Sequence, residues 1–513
     1  MFQFNARHVI ALLSAALVSS TALAVPRTTD VVIVGAGLSG LTAAHELKGR
    51  GLSYHVLELA PIIGGRIKTV AYSRQEFRAS ADAGMEEYWD SNPAVSLIRK
   101  LKLPIRTDPA VSSIVIGGKL YSLGGKNPSH HLQDLFDADE LAALVRFNQR
   151  VEALLQGITP GGGIPEDRKH LVHKSFADWV REQKPGHKVE EWIRITLECE
   201  IGTAWDRISA LDGISEFHIF LGEGETSYRV AGGNVKFIDA LASDVGRENI
   251  SLNKRVIRIA HKDGRSRVTF LSTDTNRNEE IEARHVIVTV PLYRLMEIQF
   301  EPALSQVKRD AIASMTWGSY FKVHVLVPKS SERFWTASLP LLSDSDLGVI
   351  YDGNPDQAGD KNSLRVLSLL IGGDRAERLN FTPLDQARAE IKAAFDKLWP
   401  GFSAGIVDME FYRYHPRAIA SWPVGRSRFD QQSDEIRKPE NRVYLAGDHT
   451  ESSHSDGAVN SAVRAVAQIF KSEGLKAGET LTAKHKKTQR KISKLNKDKK
   501  QGRQNHEPVN QKL

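Results

Sequence analysis

Residues 30–66 read DVVIVGAGLSGLTAAHELKGRGLSYHVLELAPIIGGR, and the spacing inside this stretch restricts the fold more than any other feature. The apolar run Val31–Val34 predicts a fully buried parallel strand, and the period of Leu41, Ala44 and Leu47 predicts a helix directly after it. Between them stand Gly35, Gly37 and Gly40. The first suits a tight turn, the second lets backbone approach a pyrophosphate, and the third lets helix and strand pack closely. Leu38 and Ser39 open the helix, whose unpaired N–H groups attract phosphate, so both join the glycines as candidate cofactor contacts. A second strand, His55–Leu57, ends at Glu58, about 20 residues on, where a carboxylate can bind a ribose hydroxyl. A lone GxGxxG can be a chance turn; strand, helix and acid in register point to a dinucleotide.

Gly64, Gly65 and Arg66 add a second glycine turn and a guanidinium suited to a diphosphate. Taken alone, this could be a surface turn with a solvated arginine. At this point the chain resembles the flavin-containing amine oxidases, whose FAD is held by a GxGxxG unit followed by an acid and then GGR. The segment NRVYLAGDHTESSHSDGAVNSAVRA is similar to that family's closing flavin motif. There Gly447 permits close backbone approach, Asp448 can accept from a ribityl hydroxyl, and Gly457, Ala458 and Val459 start a helix aimed at an electron-rich edge. Most amine oxidases carry Glu where Asp448 stands, and the AGD version looks more like carotenoid desaturases. VAGGNVKFIDALA (230–242) and LNKRVIRI also match, placing Val256 beside the adenine, and VIVTVP (286–291) resembles the strand that returns to the FAD domain.

The resemblance implies an α/β fold in which a Rossmann-like FAD-binding domain is interleaved with an α+β substrate-binding domain. The expected FAD-binding segments are 25–90, 229–300 and 426–474, and the substrate segments 91–228 and 301–425. Two independent domains in tandem are the alternative. Helical periodicity is read at Ala94–Lys102, Glu140–Gln156, Phe176–Gln183, Val189–Cys199 and Leu384–Trp399, and alternation at Lys322–Val327.

The catalytic candidate is Lys322, in WGSYFKVHVLV before Arg333-Phe334-Trp335. The family places a lysine here, linked through water to flavin N5, where a cation favours electron transfer to O2. A strand-edge lysine facing solvent is the plain alternative. The family also flanks its flavin with two aromatic side chains. Here the matching stretches offer Trp422 and, in place of a tyrosine, His454; Trp422 is equally consistent with ordinary core. Glu86 and Glu87, in DAGMEEYW, favour a cationic amine over an amino acid, unless they are simply solvated. The implied activity is oxidation of an amine by O2, giving imine, aldehyde and hydrogen peroxide. An L-amino-acid oxidase, a porphyrinogen or carotenoid-type desaturase, and a flavin-binding scaffold without turnover are alternatives.

The first 24 residues combine Arg7, an apolar core Val9–Val18 and Ala22-Leu23-Ala24, the pattern of a cleaved secretory signal, with an uncleaved anchor as alternative. A secreted or periplasmic protein is expected. No later stretch is long and apolar enough for a membrane span. From Lys484 onward nine Lys and two Arg face two acids, which exceeds the net +7 of the whole chain, so the remainder is slightly acidic. The segment 475–513 reads as a disordered basic tail, solvated or in weak contact with an anionic envelope, and gives no support to nucleic-acid binding. Cys199 is the only cysteine, so no intramolecular disulfide can form; it reads as an apolar filler, and FAD is expected without a thioether link. No metal cluster stands out among the 17 His, and no hydrolase elbow is present. The partners expected are thus a small amine and O2, with oligomeric state open and a homodimer one option.

Overall fold

The computed structural model describes residues 27–475 except 75–76, 109–112, 123–134, 219–225, 336–337, 358, 360–363 and 414–416. The secretory-type segment and the basic tail from 476 onward lie outside the described residues. The strand Thr28–Val34 lies between Tyr54–Leu57 and the end of Arg277–Val288, parallel to both, and Val32 pairs with His55 and with Val286. Ile250–Ser251 and Val443–Leu445 extend this parallel layer on its two sides. The long strand Arg277–Val288 also leaves the layer as part of an antiparallel meander with Arg265–Ser272 and Lys254–Lys262.

Both faces of the first strand are buried, which is why its sequence runs apolar without alternation. Val31 and Ile33 pack toward the helices Leu38–Leu47, Val235–Val245 and Ser455–Ser472. Val32 and Val34 pack toward the meander and Trp422. A seven-stranded sheet forms the second layer, with Tyr320–Val327 held antiparallel between Arg365–Gly372 and Asp408–Arg413. Lys322 therefore sits on a central strand, opposite Leu370 and Tyr412, and not at an edge. The expected alternation also fails, because Phe321–Val327 are buried on both faces. A helical cluster built from Ala138–Leu155, Phe176–Glu182, His187–Ile201 and Ala210–Phe217 completes the molecule. Both ends of the first three of these helices fall within two residues of the sequence reading, whereas the helix Ala210–Phe217, short and capped by Ser209, is not read from the sequence. Among the described residues no helix is long and apolar enough to cross a membrane.

Candidate active site

The three glycines of the first turn do different work. Gly35 has φ +108°, and its N–H donates to Leu57 O at 2.8 Å. A Cβ on Gly40 would lie 1.9 Å from Gly35 O, so only glycine lets the helix pass this close. A Cβ on Gly37, by contrast, would meet nothing within 4 Å. That empty space lies at the start of Leu38–Leu47, a helix with no side-chain cap and hence free N–H groups. Gly64 bridges Gly37, donating to Ala36 O at 2.9 Å, and closes the second side of the cradle. Glu58 accepts the N–H of Ala36 at 2.6 Å and of Ala60 at 2.8 Å, which fixes its carboxylate with lone pairs left for a ribose. Lys254 N–H donates to Glu58 O at 2.7 Å, so Val256, buried in the meander core, is two residues from the acid.

Arg66 departs from its expected role. Its guanidinium is paired with Asp448 (Nη1 to Oδ2 2.8 Å) and donates to Ala418 O at 2.9 Å, although 46 % of the side chain remains open to the cleft. Asp448 lies well below the usual carboxylate range: burial would raise it, and Arg66 and His449 together outweigh burial. The two residues expected to bind a diphosphate and a ribityl chain separately therefore form one unit. Beside it His449 is 2 % exposed, with neither ring nitrogen hydrogen-bonded and Nδ1 3.5 Å from Asp448 Oδ1. A buried imidazole whose Nε2 has no hydrogen-bond partner, together with the open space at Gly37, fits a polar cofactor lying along this cleft. Ser39 reaches not toward that space but to Ser461 of the closing helix, at 3.3 Å, and Leu38 is buried. Ser461 also accepts the N–H of Gly447 at 2.8 Å, tying the two flavin motifs together. Gly457 is required for packing, since its Cβ would lie 2.1 Å from Ser452 O; Ala458 and Val459 are buried behind it.

Lys322 is fully buried beneath the loop that follows Phe77–Asp82. Its ammonium donates to Gly84 O at 2.7 Å and pairs with Glu86 at 2.5 Å. The other side of this loop abuts Arg66, because Met85 N–H donates to Arg66 O at 3.0 Å. Glu86 is thus a counter-ion inside the protein, held at about 2 by Lys322 and Arg229 against the effect of burial, and its expected role as a substrate contact is corrected. Glu87 points elsewhere. It takes a hydrogen bond from Ser227, and burial pushes it up to about 7.

Trp422 is also corrected. It is 2 % exposed, its indole N–H donates to Ser433 Oγ at 3.2 Å, and Arg428 lies 4.7 Å over its ring. Volume and apolarity drew it into the sheet core, away from any cage. His454 does stand at the start of the closing helix, but as a cation rather than as a ring wall. It lies 3.0 Å from Glu216 and 3.6 Å from Glu200, and Glu216 holds it charged up to about 9 despite its burial. Glu216 is in turn paired with Arg428, and Asp212 receives Arg428 Nε at 2.8 Å. Sequence reading missed Glu200, Glu216 and Arg229; their helices and strand showed only ordinary amphipathic patterns, and no motif marks them. Cys199 is half-buried, and burial pushes its thiol up to about 12, consistent with an inert filler.

Residues 38–470 match the family model of flavin containing amine oxidoreductases. The chain belongs to that family. Polyamine oxidase 1 of Zea mays is 23 % identical to it over 489 residues, covering 88 % of this chain and 91 % of that protein. The nicotine dehydrogenase of Pseudomonas putida is 23 % identical over 456 residues, covering 86 % and 88 %. A putrescine oxidase structure superimposes with a TM-score of 0.74 at 20 % identity, over 86 % of this chain and 99 % of that one. FAD is the cofactor of this flavin-dependent amine oxidoreductase.

Proposed function

We propose that this protein is an exported amine oxidase whose substrate carries a second cationic group. The observation that supports this most directly is a pair of largely buried carboxylates, Glu87 and Glu200, neither of which forms an ion pair with a Lys or Arg. Among the described residues neither Glu87 nor Glu200 has a Lys or Arg within 4 Å; His454 lies 3.6 Å from Glu200, burial raises the proton affinity of both acids, and the Glu200 charge raises that of Glu87 further. An ammonium arriving beside them would give Glu87 a counter-ion at contact distance and would share Glu200 with His454. Tyr351, coupled to both acids, supplies an aromatic wall that suits a cation.

In this reading the chain's residues bind and orient the amine, and FAD, when bound, accepts the hydride and supplies the electrons that reduce O2 to peroxide. Glu87 and Glu200 hold the distal ammonium. Tyr320, whose hydroxyl donates to Glu200 O at 2.6 Å, fixes the end of the helix that carries Glu200. The product imine hydrolyses in water to an aldehyde and ammonia or an amine. We further propose that the FAD-binding half comprises 25–90, 229–300 and 426–474, and that residues 1–24 direct export.

The test is peroxide release, with anaerobic flavin bleaching, over a panel of monoamines, diamines, polyamines and L-amino acids. Diamines or polyamines should give the highest kcat/KM. Bleaching by an L-amino acid and by no amine would overturn the substrate assignment. Fractionation of the producing cell tests export.

A further inference from the structure

We propose that Glu86 is the positioning residue for Lys322, keeping its ammonium charged and fixed beneath the loop that backs Arg66. This rests on the reading of Lys322 as the cation that assists reoxidation of the reduced cofactor.

The geometry is that of a clamp. Glu86 Oε1 lies 2.5 Å from Lys322 Nζ and accepts the hydroxyl of Ser368 at 2.5 Å. Glu86 Oε2 lies 3.1 Å from Arg229 Nη1, and Arg229 is anchored in turn by Asp108. Gly84 O takes a second donor of the ammonium at 2.7 Å, so two of its three N–H groups are committed and one direction is left. Lys322, Glu86 and Arg229 are all at least 95 % buried.

Two cations thus share one carboxylate in a dry interior. Four charged or titratable groups face Lys322: Glu86, Asp82 at the end of Phe77–Asp82, Arg229 on Ser227–Val230, and His324 on its own strand. Burial draws the lysine toward its neutral form and Arg229 adds to that pull, while Glu86 is the main group opposing both. Without the carboxylate, the guanidinium cannot shed its proton and the lysine can. A neutral Lys322 would leave no cation to favour the step in which reduced flavin, O2 and one proton give oxidised flavin and H2O2.

The experiment needs no amine. The flavin of the holoenzyme is photoreduced anaerobically and mixed with O2 over about pH 6–9. Wild type should keep its rate to a higher pH than E86Q. E86Q should reoxidise about tenfold more slowly at the alkaline end and recover as the pH falls, since acid restores the lysine's charge. E86D should recover part of the rate, and the E86Q/K322R pair should lose the pH dependence because arginine stays charged. A second readout uses apoprotein. The folded Lys322 pKa in E86Q lies far below its unfolded value, so the stability of that variant should rise with pH across this range, and K322M in the same background should remove the slope. If E86Q does not fold, S368A, which frees one side of the clamp, should shift the reoxidation profile in the same direction. A rate and pH profile in E86Q, or in S368A where E86Q cannot be made, that coincide with those of wild type would overturn the proposal. An unchanged K322M would instead overturn the underlying role of Lys322.

Discussion

Arg66 and Asp448 stand 382 residues apart in the chain and meet in one bidentate ion pair at the wall of the cofactor cleft. One comes from the glycine turn after the second strand, the other from the end of the last strand. Their pairing joins two groups that the sequence shows as separate motifs.

D448N removes the charge and leaves Arg66 without its partner. Because Arg66 is half open to the cleft, the loss is of the order of a partly screened pair, about 1–2 kcal/mol, or roughly tenfold weaker FAD binding. The folded Asp448 pKa is lowered, so its contribution is present above the unfolded carboxylate value and is lost as pH falls through the folded one. FAD retention on dialysis at neutral and acidic pH measures both effects.

Gly37 and Gly40 separate cofactor binding from folding. G40A forces a methyl against Gly35 O and should cost about 1–3 kcal/mol of apoprotein stability. G37A meets no protein atom, so the apoprotein should keep its Tm while the methyl intrudes on the cofactor's space. Thermal scans beside FAD content distinguish the two; equal loss of Tm in both variants would refute the separation.

Glu87 ionises at about 7, so the charge available to a distal ammonium disappears as pH falls through neutrality. The KM ratio of diamine to monoamine should therefore increase from about pH 8 to pH 6. E87Q should abolish that change, and E200Q should raise the diamine KM about tenfold with little effect on kcat. Steady-state kinetics with matched mono- and diamines decides it.

Trp422 belongs to the core. W422F should lose the bond to Ser433 and some packing, about 1–3 kcal/mol in denaturant unfolding, with KM for the best amine unchanged. A large KM change at full stability would place the indole in the substrate cleft after all.

The cofactor should leave with denaturation. Cys199 is the only thiol, and burial pushes it away from the reactive thiolate. After acid precipitation the flavin absorbance should be found in the supernatant, not the pellet.

The sequence by itself determined the cofactor half. Val31–Val34, the three glycines and Glu58 fall within 28 residues, and local spacing suffices because strand, turn and helix contact one another as they leave the chain. The long helices were legible for the same reason. The substrate half was not. Glu86 and Glu87 are adjacent, yet one turns inward to Lys322, 236 positions away, and the other accepts a hydrogen bond from Ser227. Trp422 and His454 looked like a pair in the sequence, and packing sent the indole to the core and the imidazole to Glu216. Which of the two carboxylates is spent on an internal lysine is a question of long-range charge pairing in a buried interior. Only the tertiary structure decided it, because the energy of a buried charge depends on partners that no local pattern encodes.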